Sequence, residues 1–442
     1  MQKKIAIILL ILFIVNILSL PVYAQTPSIN SPSAILIDSA TGRILYEKNA
    51  HEKMYPASIT KIMTAILALE SNKNLNDIVT ASSEAVLSIE RGSSNIGILP
   101  GEQLTLEQLL YGLLVASANE GANIIAEYIA GSVDEFVKLM NKRAAELGAK
   151  NTHFVNANGL HDDDHYTTAY DMALIARHAM TIPKFRELVN TAYYEIPPTE
   201  KYKDTRYLSN TNQLINKYRG TKYLYESAIG IKTGYTSKAQ HTLVAAAKQN
   251  GLELIAVVMG AKLEGTKYYS YEDTINLFEY GFNNFSIQTV VKPGEFIEEV
   301  PVLEAKNNER VILQTEQPLE ALLPNNIDKS AIEKQVYPLA NIKAPISKGD
   351  VLGFVTFKYD NQELGRVNLI ADRNIEQEPM VIVKNKALSI LNSLWLKIPA
   401  ALLGLLILFS IIMRILRSRR KSRYTFARDK RKVRYISKYR KW

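Results

Sequence analysis

Leu243-Val244-Ala245-Ala246-Ala247 and Leu254-Ile255-Ala256-Val257-Val258 are two apolar runs that flank Asn250-Gly251. Asn-Gly suits a two-residue hairpin turn of type I′, whose central residues both need φ above zero. An earlier pair of apolar-rich runs, Ala34 to Asp38 and Arg43 to Tyr46, brackets Ser39-Ala40-Thr41-Gly42 and reads as a second hairpin. Between them, from Ile59 to about Leu147, apolar residues recur three and four apart, the helical period. Strands first, helices between and strands last predict an α+β fold. Its antiparallel sheet is closed by both ends of the segment, with a helical lobe inserted. This segment is taken as residues 25–286.

Beyond it, residues 287–380 change texture. Phe296 to Val300, Arg310 to Gln314, Val351 to Tyr359 and Glu363 to Leu369 alternate with turns such as Lys348-Gly349-Asp350 and Asp360-Asn361, which predicts a small all-β module. It holds no histidine and no catalytic cluster, so a spacer or binding role is expected.

The chain has 442 residues and no cysteine, which excludes disulfides, thiol nucleophiles and cysteine-ligated metals. Its formal charge of +9 is unevenly placed. Residues 414–442 carry fourteen Lys/Arg against Asp429, and Lys3 and Lys4 are the only charges among the first 24 residues. Residues 25–413 are therefore mildly acidic, and nucleic acid is not an expected partner.

Both ends address a membrane. Lys3 and Lys4, the apolar run Ile5 to Leu20 and the Val22-Tyr23-Ala24 site predict a signal peptide over residues 1–24. Leu394 to Met413 is a 20-residue apolar span broken only by Lys397, long enough to cross a hydrocarbon core. The basic residues 414–442 that follow predict a cytoplasmic tail, with residues 25 to about 393 on the outer side.

Three short motifs carry chemistry. Ser58-Ile59-Thr60-Lys61 opens the helical run, and positions i and i+3 share a helix face, so the Ser58 hydroxyl and Lys61 amine can meet. Ser117-Ala118-Asn119 ends the apolar stretch Leu113 to Ala116, and Lys232-Thr233-Gly234 lies just before the hairpin. No histidine is sequence-local to Ser58, and there is no G-x-S-x-G elbow. A lysine becomes a base only if burial or a second cation lowers its pKa.

In this order the motifs resemble the signature of penicillin-recognising serine enzymes. The stretches Tyr55 to Thr64, Asn158-Gly159-Leu160, His165 to Asp171 and Gly230 to Thr236 resemble the low-molecular-weight D-alanyl-D-alanine carboxypeptidases, peptidase family S11. The likeness covers roughly residues 30–380, the β module included. It implies Ser58 as acylated nucleophile, Lys61 as its base and Ser117 as proton relay to the leaving D-alanine. Asn119 would hold the peptide carbonyl, and Lys232, Thr233 and Thr236 the substrate carboxylate, with Gly234 completing the motif. The N–H groups of Ser58 and Tyr235 would bind the oxyanion. The implied partners are peptidoglycan stem peptides ending in D-Ala-D-Ala and, as covalent inhibitors, β-lactams. No cofactor or metal is implied. One departure is Gln240, where the family usually has glycine, which bears on loop geometry near the cleft.

Other readings compete. His161-Asp162-Asp163-Asp164-His165 has metal-ligand chemistry, against the plainer reading of an exposed acidic loop. Tyr268, Tyr269 and Tyr271 read as packing and surface residues. A β-lactamase would need a deacylating base, for which Glu187 with Asn190 is the one faint candidate. A wall-binding protein that kept the fold without activity is the non-enzymatic alternative.

Overall fold

The computed structural model describes residues 26–392 and 394–436; the expected signal peptide lies outside the described residues. The chain forms two compact units, one reaching to Gln288 together with Leu322–Ile327, the other made of Thr289–Ala321 and the residues from Asp328 on.

The first unit is the expected α+β layout. Strands β1 (Ser33–Asp38), β2 (Ile44–Lys48), β3 (Ala228–Thr236), β4 (Gln240–Gln249) and β5 (Leu252–Ala261) form an antiparallel sheet in the order β2-β1-β5-β4-β3. The β4–β5 turn is Asn250-Gly251, with φ of 49° and 84°, the left-handed pair the sequence calls for. Into this sheet is inserted the helical lobe, whose main helices are α1 (Lys61–Glu70), α2 (Leu106–Val115), α3 (Asn119–Ala130), α4 (Val133–Glu146), α5 (Ala169–Ala179) and α6 (Pro183–Asn190). Helix α7 (Tyr269–Asn284) returns the chain across the other face.

The sheet is covered on both faces, which explains why its central strands are apolar at consecutive positions. Ile35, Val244, Ile255 and Val257 pack into the lobe's core, while Leu36, Leu243, Leu254 and Val258 pack with Leu277 and Phe278 of α7. Each such side chain removed from water contributes about 1.5–3 kcal/mol. Helix α1 runs through the lobe with Ile62, Met63, Ala65 and Ile66 all buried, the signature of a helix enclosed on nearly every side. Helix α2 starts at a capping box in which Thr105 and Gln108 serve each other's backbone N–H.

In the second unit, β6 (Phe296–Pro301), β7 (Arg310–Thr315), β8 (Glu333–Pro338), β9 (Val351–Tyr359) and β10 (Gln362–Ala371) form a sheet ordered β6-β7-β10-β9-β8. Strand β8, Glu-Lys-Gln-Val-Tyr-Pro, is not anticipated from sequence. It lies at the sheet edge, where charges and a proline are tolerated and apolar alternation is not required. Helices α8 (Pro379–Asn392) and α9 (Leu394–Ile436) follow. Within α9, Lys397–Arg419 is long and apolar enough to cross a membrane, and Leu402, Leu405, Leu406 and Phe409 are all exposed.

Replacing Gly251 by Ala puts a Cβ on a φ of 84° in the β4–β5 turn. The expected loss is about 1–2 kcal/mol of stability, read as a lower denaturant midpoint with an unchanged slope.

Candidate active site

Residue Ser58 sits in a 3₁₀ turn, Ala57–Thr60, and Lys61 is the first residue of α1. The nucleophile candidate thus precedes the α-helix instead of lying within it. The turn is tight because Ala57 takes φ of 53°, unusual for a residue with a Cβ. Three hydrogen bonds hold it. Thr242 on β4 donates to the Pro56 carbonyl at 2.8 Å, Thr60 Oγ1 donates to the Ala57 carbonyl at 2.8 Å, and His165 Nε2 lies 2.8 Å from Thr60 Oγ1. His165 Nδ1 accepts from the Val155 N–H at 3.0 Å, so Nε2 carries the proton that reaches Thr60. Burial lowers the His165 pKa to about 4 and keeps the ring neutral. Both ring nitrogens are engaged within the protein, which leaves none to bind a metal. The loop partner His161 pairs instead with Asp163 at 3.4 Å.

Lys61 is wholly buried. Its Nζ lies 3.0 Å from Ser58 Oγ, 2.6 Å from Asn119 Oδ1, and in hydrogen-bond contact with the Asn158 carbonyl. Burial, and then the positive charge of Lys232, push its pKa well below the ordinary lysine value; the Glu120 carboxyl opposes them. An amine without its extra proton has two N–H donors and one lone pair. In that form Asn119 and Asn158 would take the donors, and the lone pair would be left for the Ser58 hydroxyl.

Ser117 stands in the short elbow between α2 and α3, at φ of 63°. Asn119 begins α3. The third motif lies on β3, an edge strand, paired in register with β4: Lys232 opposite Val244, Gly234 opposite Thr242 and Thr236 opposite Gln240. A Cβ on Gly234 would come within 2.8 Å of the Ser58 nitrogen, so only glycine lets the strand approach the Ser58 turn this closely. Lys232 is buried, and its Nζ donates to the Thr233 carbonyl at 3.0 Å. Burial, assisted by the charge of Arg219, lowers its pKa to about 7.

Ser58, Ser117, Asn119, Thr233, Gly234, Tyr235 and Thr236 all line one cleft of about 370 Å³, a size for a small ligand or the end of a peptide. The motif lysines sit behind its wall. Residues that the motifs do not announce also line it, among them Ser93 and Ser94, Arg219, His241, Tyr268 and Tyr271. Tyr271 is also a packing residue, buried and donating to the Thr211 carbonyl at 3.1 Å. Among the described lining residues none is acidic. Glu187 is not among them; on α6 it accepts from Tyr111 at 2.8 Å and pairs with Lys184.

Residues 21–263 match the D-alanyl-D-alanine carboxypeptidase family of S11 peptidases, and residues 285–377 match the C-terminal domain of penicillin-binding protein 5. The chain belongs to the S11 family of D-alanyl-D-alanine carboxypeptidases. It is 36% identical to D-alanyl-D-alanine carboxypeptidase DacF of Bacillus subtilis over 349 residues, 78% of this chain and 86% of that protein. It is 31% identical to DacC of Escherichia coli over 82% of this chain and 85% of that one. Among solved structures, penicillin binding protein 5 from Haemophilus influenzae aligns with a TM-score of 0.61 at 29% identity, covering 80% of this chain and 99% of its own. The chain is therefore a hydrolase of the carboxypeptidase class, and the β-lactamase and non-catalytic readings are not favoured.

Within this S11 carboxypeptidase, the Ser93-Ser94 rim of the cleft is clamped by two buried charged side chains. Glu120 on α3 accepts the Ile96 N–H at 2.7 Å. Arg206 donates to the carbonyls of Ile96 and Gly97, each at 2.9 Å, and forms a two-pronged pair with Glu102 at 2.8 Å. Neither clamp residue belongs to a motif, and a sequence signal for them is lacking because the rim groups they hold are backbone atoms. Gln240 takes φ of 55°, a backbone region that favours glycine, and its side chain donates to the Ser237 carbonyl at 2.6 Å across the turn.

An unfolded lysine binds its proton near pH 10.4, and folded Lys232 only near pH 7. Between those values unfolding takes up a proton, so stability rises with pH. Lys232→Met should therefore be more stable than the parent at pH 6, by a few kcal/mol at about 1.4 kcal/mol per pK unit. The difference should shrink towards pH 10. Denaturant titrations at the two pH values measure it, and an equal difference at both would contradict the buried-charge account.

Proposed function

We propose that this enzyme removes the terminal D-alanine from peptidoglycan stem peptides through an acyl-enzyme on Ser58. The observation that carries the reading is the contact set of Lys61, with two acceptors on its N–H groups and Ser58 on the third side. Lys61 takes the hydroxyl proton as Ser58 Oγ bonds to the carbonyl carbon of the penultimate D-alanine. The N–H groups of Ser58 and Tyr235 stabilise the oxyanion. As the C–N bond breaks, the proton passes from Lys61 by way of Ser117 to the departing amine. Water then cleaves the ester and regenerates Ser58.

Substrate binding follows the same line of residues. Strand β3 is an edge strand whose free backbone groups suit an extended peptide. Asn119 holds the peptide carbonyl, and Lys232, Thr233 and Thr236 surround the terminal carboxylate. β-Lactams acylate the same serine.

The apolar segment of α9 anchors the enzyme, with the basic residues from Arg414 on the cytoplasmic side and the cleft outside, after removal of residues 1–24. The charge asymmetry across the span supports this orientation.

Ser58→Ala should abolish covalent labelling by fluorescent penicillin while leaving the unfolding transition within about 0.5 kcal/mol of the parent. Labelling that persists on an intact fold would move the nucleophile elsewhere.

Truncation after Glu378 should release an enzyme that fractionates with the soluble phase and still frees D-alanine from diacetyl-Lys-D-Ala-D-Ala. In intact cells stripped of wall, added protease should spare an epitope placed at the C-terminus. Loss of that epitope from unbroken cells would reverse the orientation.

A further inference from the structure

Arg219 is the one arginine among the described residues lining the cleft, and it shares that lining with Ser58, Thr233 and Thr236. It closes the 3₁₀ turn Lys217–Arg219, which is not a loose loop. Asn216, fully buried, accepts the Tyr218 N–H at 3.0 Å. Its amide nitrogen donates to the Asn210 carbonyl at 2.6 Å and to Ser209 Oγ at 2.9 Å. Arg219 Nη2 makes a long bond, 3.3 Å, to the Ser209 carbonyl. A guanidinium has five N–H donors in a fork that matches a carboxylate, so most of its capacity stays open to the cleft.

We propose that Arg219 is a specificity-determining residue: its guanidinium is the permanent positive charge that pairs with the free carboxylate of the ligand in the cleft. That carboxylate is the C-terminus of a D-Ala-D-Ala peptide or the ring carboxylate of a penicillin; the inference rests on the peptidase reading above. Three further observations support it. Lys232, the motif cation, is almost wholly buried and already donates to the Thr233 carbonyl. Its pKa of about 7 leaves it only partly charged at neutral pH, whereas an arginine stays charged throughout. No acidic side chain among the described lining residues competes for the guanidinium. Thr233 and Thr236 then supply neutral hydroxyl donors around a charge that Arg219 provides, with the buried Lys232 behind them.

The test uses the full chain and two variants, Arg219→Gln and Arg219→Lys. Each is assayed on diacetyl-Lys-D-Ala-D-Ala and on the same peptide with a C-terminal amide. Acylation of Ser58 is followed in parallel with benzylpenicillin and with its methyl ester. Arg219→Gln is expected to lose at least tenfold in kcat/KM on the free acid, mainly through KM, and less than threefold on the amide. The acid-to-ester ratio of penicillin acylation should fall in the same way, and Arg219→Lys should lie between. Equal losses on acid and amide would assign Arg219 a structural role in its turn, and no loss would leave it a bystander; either overturns the proposal. A parent enzyme that acylates but frees no D-alanine would overturn the peptidase reading, while the penicillin pair still decides Arg219. A parent that does neither overturns both.

Discussion

The site depends on a lysine held out of water. Lys61 has no contact with solvent, its burial is compounded by a second buried lysine, and its two contacts other than Ser58 are uncharged oxygens. In water the same amine would hold its proton firmly, whereas burial weakens that hold. Desolvating a charge is among the largest electrostatic costs in a protein, and the enclosing helical lobe supplies the packing that sustains it. Ile59, Ile62, Met63 and Ile66 pack into the lobe's apolar core, which fixes α1 and with it the place of Lys61.

The chemistry is assembled from three separate parts of the chain. The Ser58 turn lies just before α1, the Ser117–Asn119 elbow at the α2–α3 junction, and the Lys232–Thr236 run on a sheet edge. Their mutual approach is set by close contacts that tolerate no extra atoms. Gly234 lies against the Ser58 backbone, and Thr242 on the neighbouring strand ties down Pro56. Two residues with side chains, Ala57 and Ser117, adopt positive φ at the cleft. Such conformations cost about 1–3 kcal/mol each and persist where the surroundings over-determine them. Here the His165–Thr60–Ala57 chain of hydrogen bonds does so for the first.

The rim opposite β3 is ordered by a different device. Backbone groups of residues 96–98 are gripped from one side by a carboxyl group and from the other by a guanidinium. Glu120 is buried with Oε2 unpartnered, and burial raises its pKa. Arg206 is neutralised by Glu102, with both side chains nearly inaccessible. Buried charges of this kind specify a local conformation more than they add stability, and the conformation they specify is that of the loop carrying Ser93 and Ser94.

Much of this was written into local sequence. Asn250-Gly251 determined a hairpin because its backbone preference is intrinsic to the two residues. The period of the apolar positions determined the lobe, and the spacing Ser58 to Lys61 determined that hydroxyl and amine share a face. A 20-residue apolar span determined that one helix could cross a membrane. Tertiary structure alone decided the rest, because it turns on what becomes neighbour to what. Strand β8 exists because a sheet edge accepts a polar strand. His165, which the sequence sets in an acidic loop, is drawn inward and neutralised by burial. Arg219, thirteen residues before Lys232 in the chain and without a motif of its own, reaches the same cleft because a buried asparagine folds its turn there. A pKa, likewise, is a property of surroundings, and no spacing of residues could have shown how far burial lowers the proton affinity of Lys61 and Lys232.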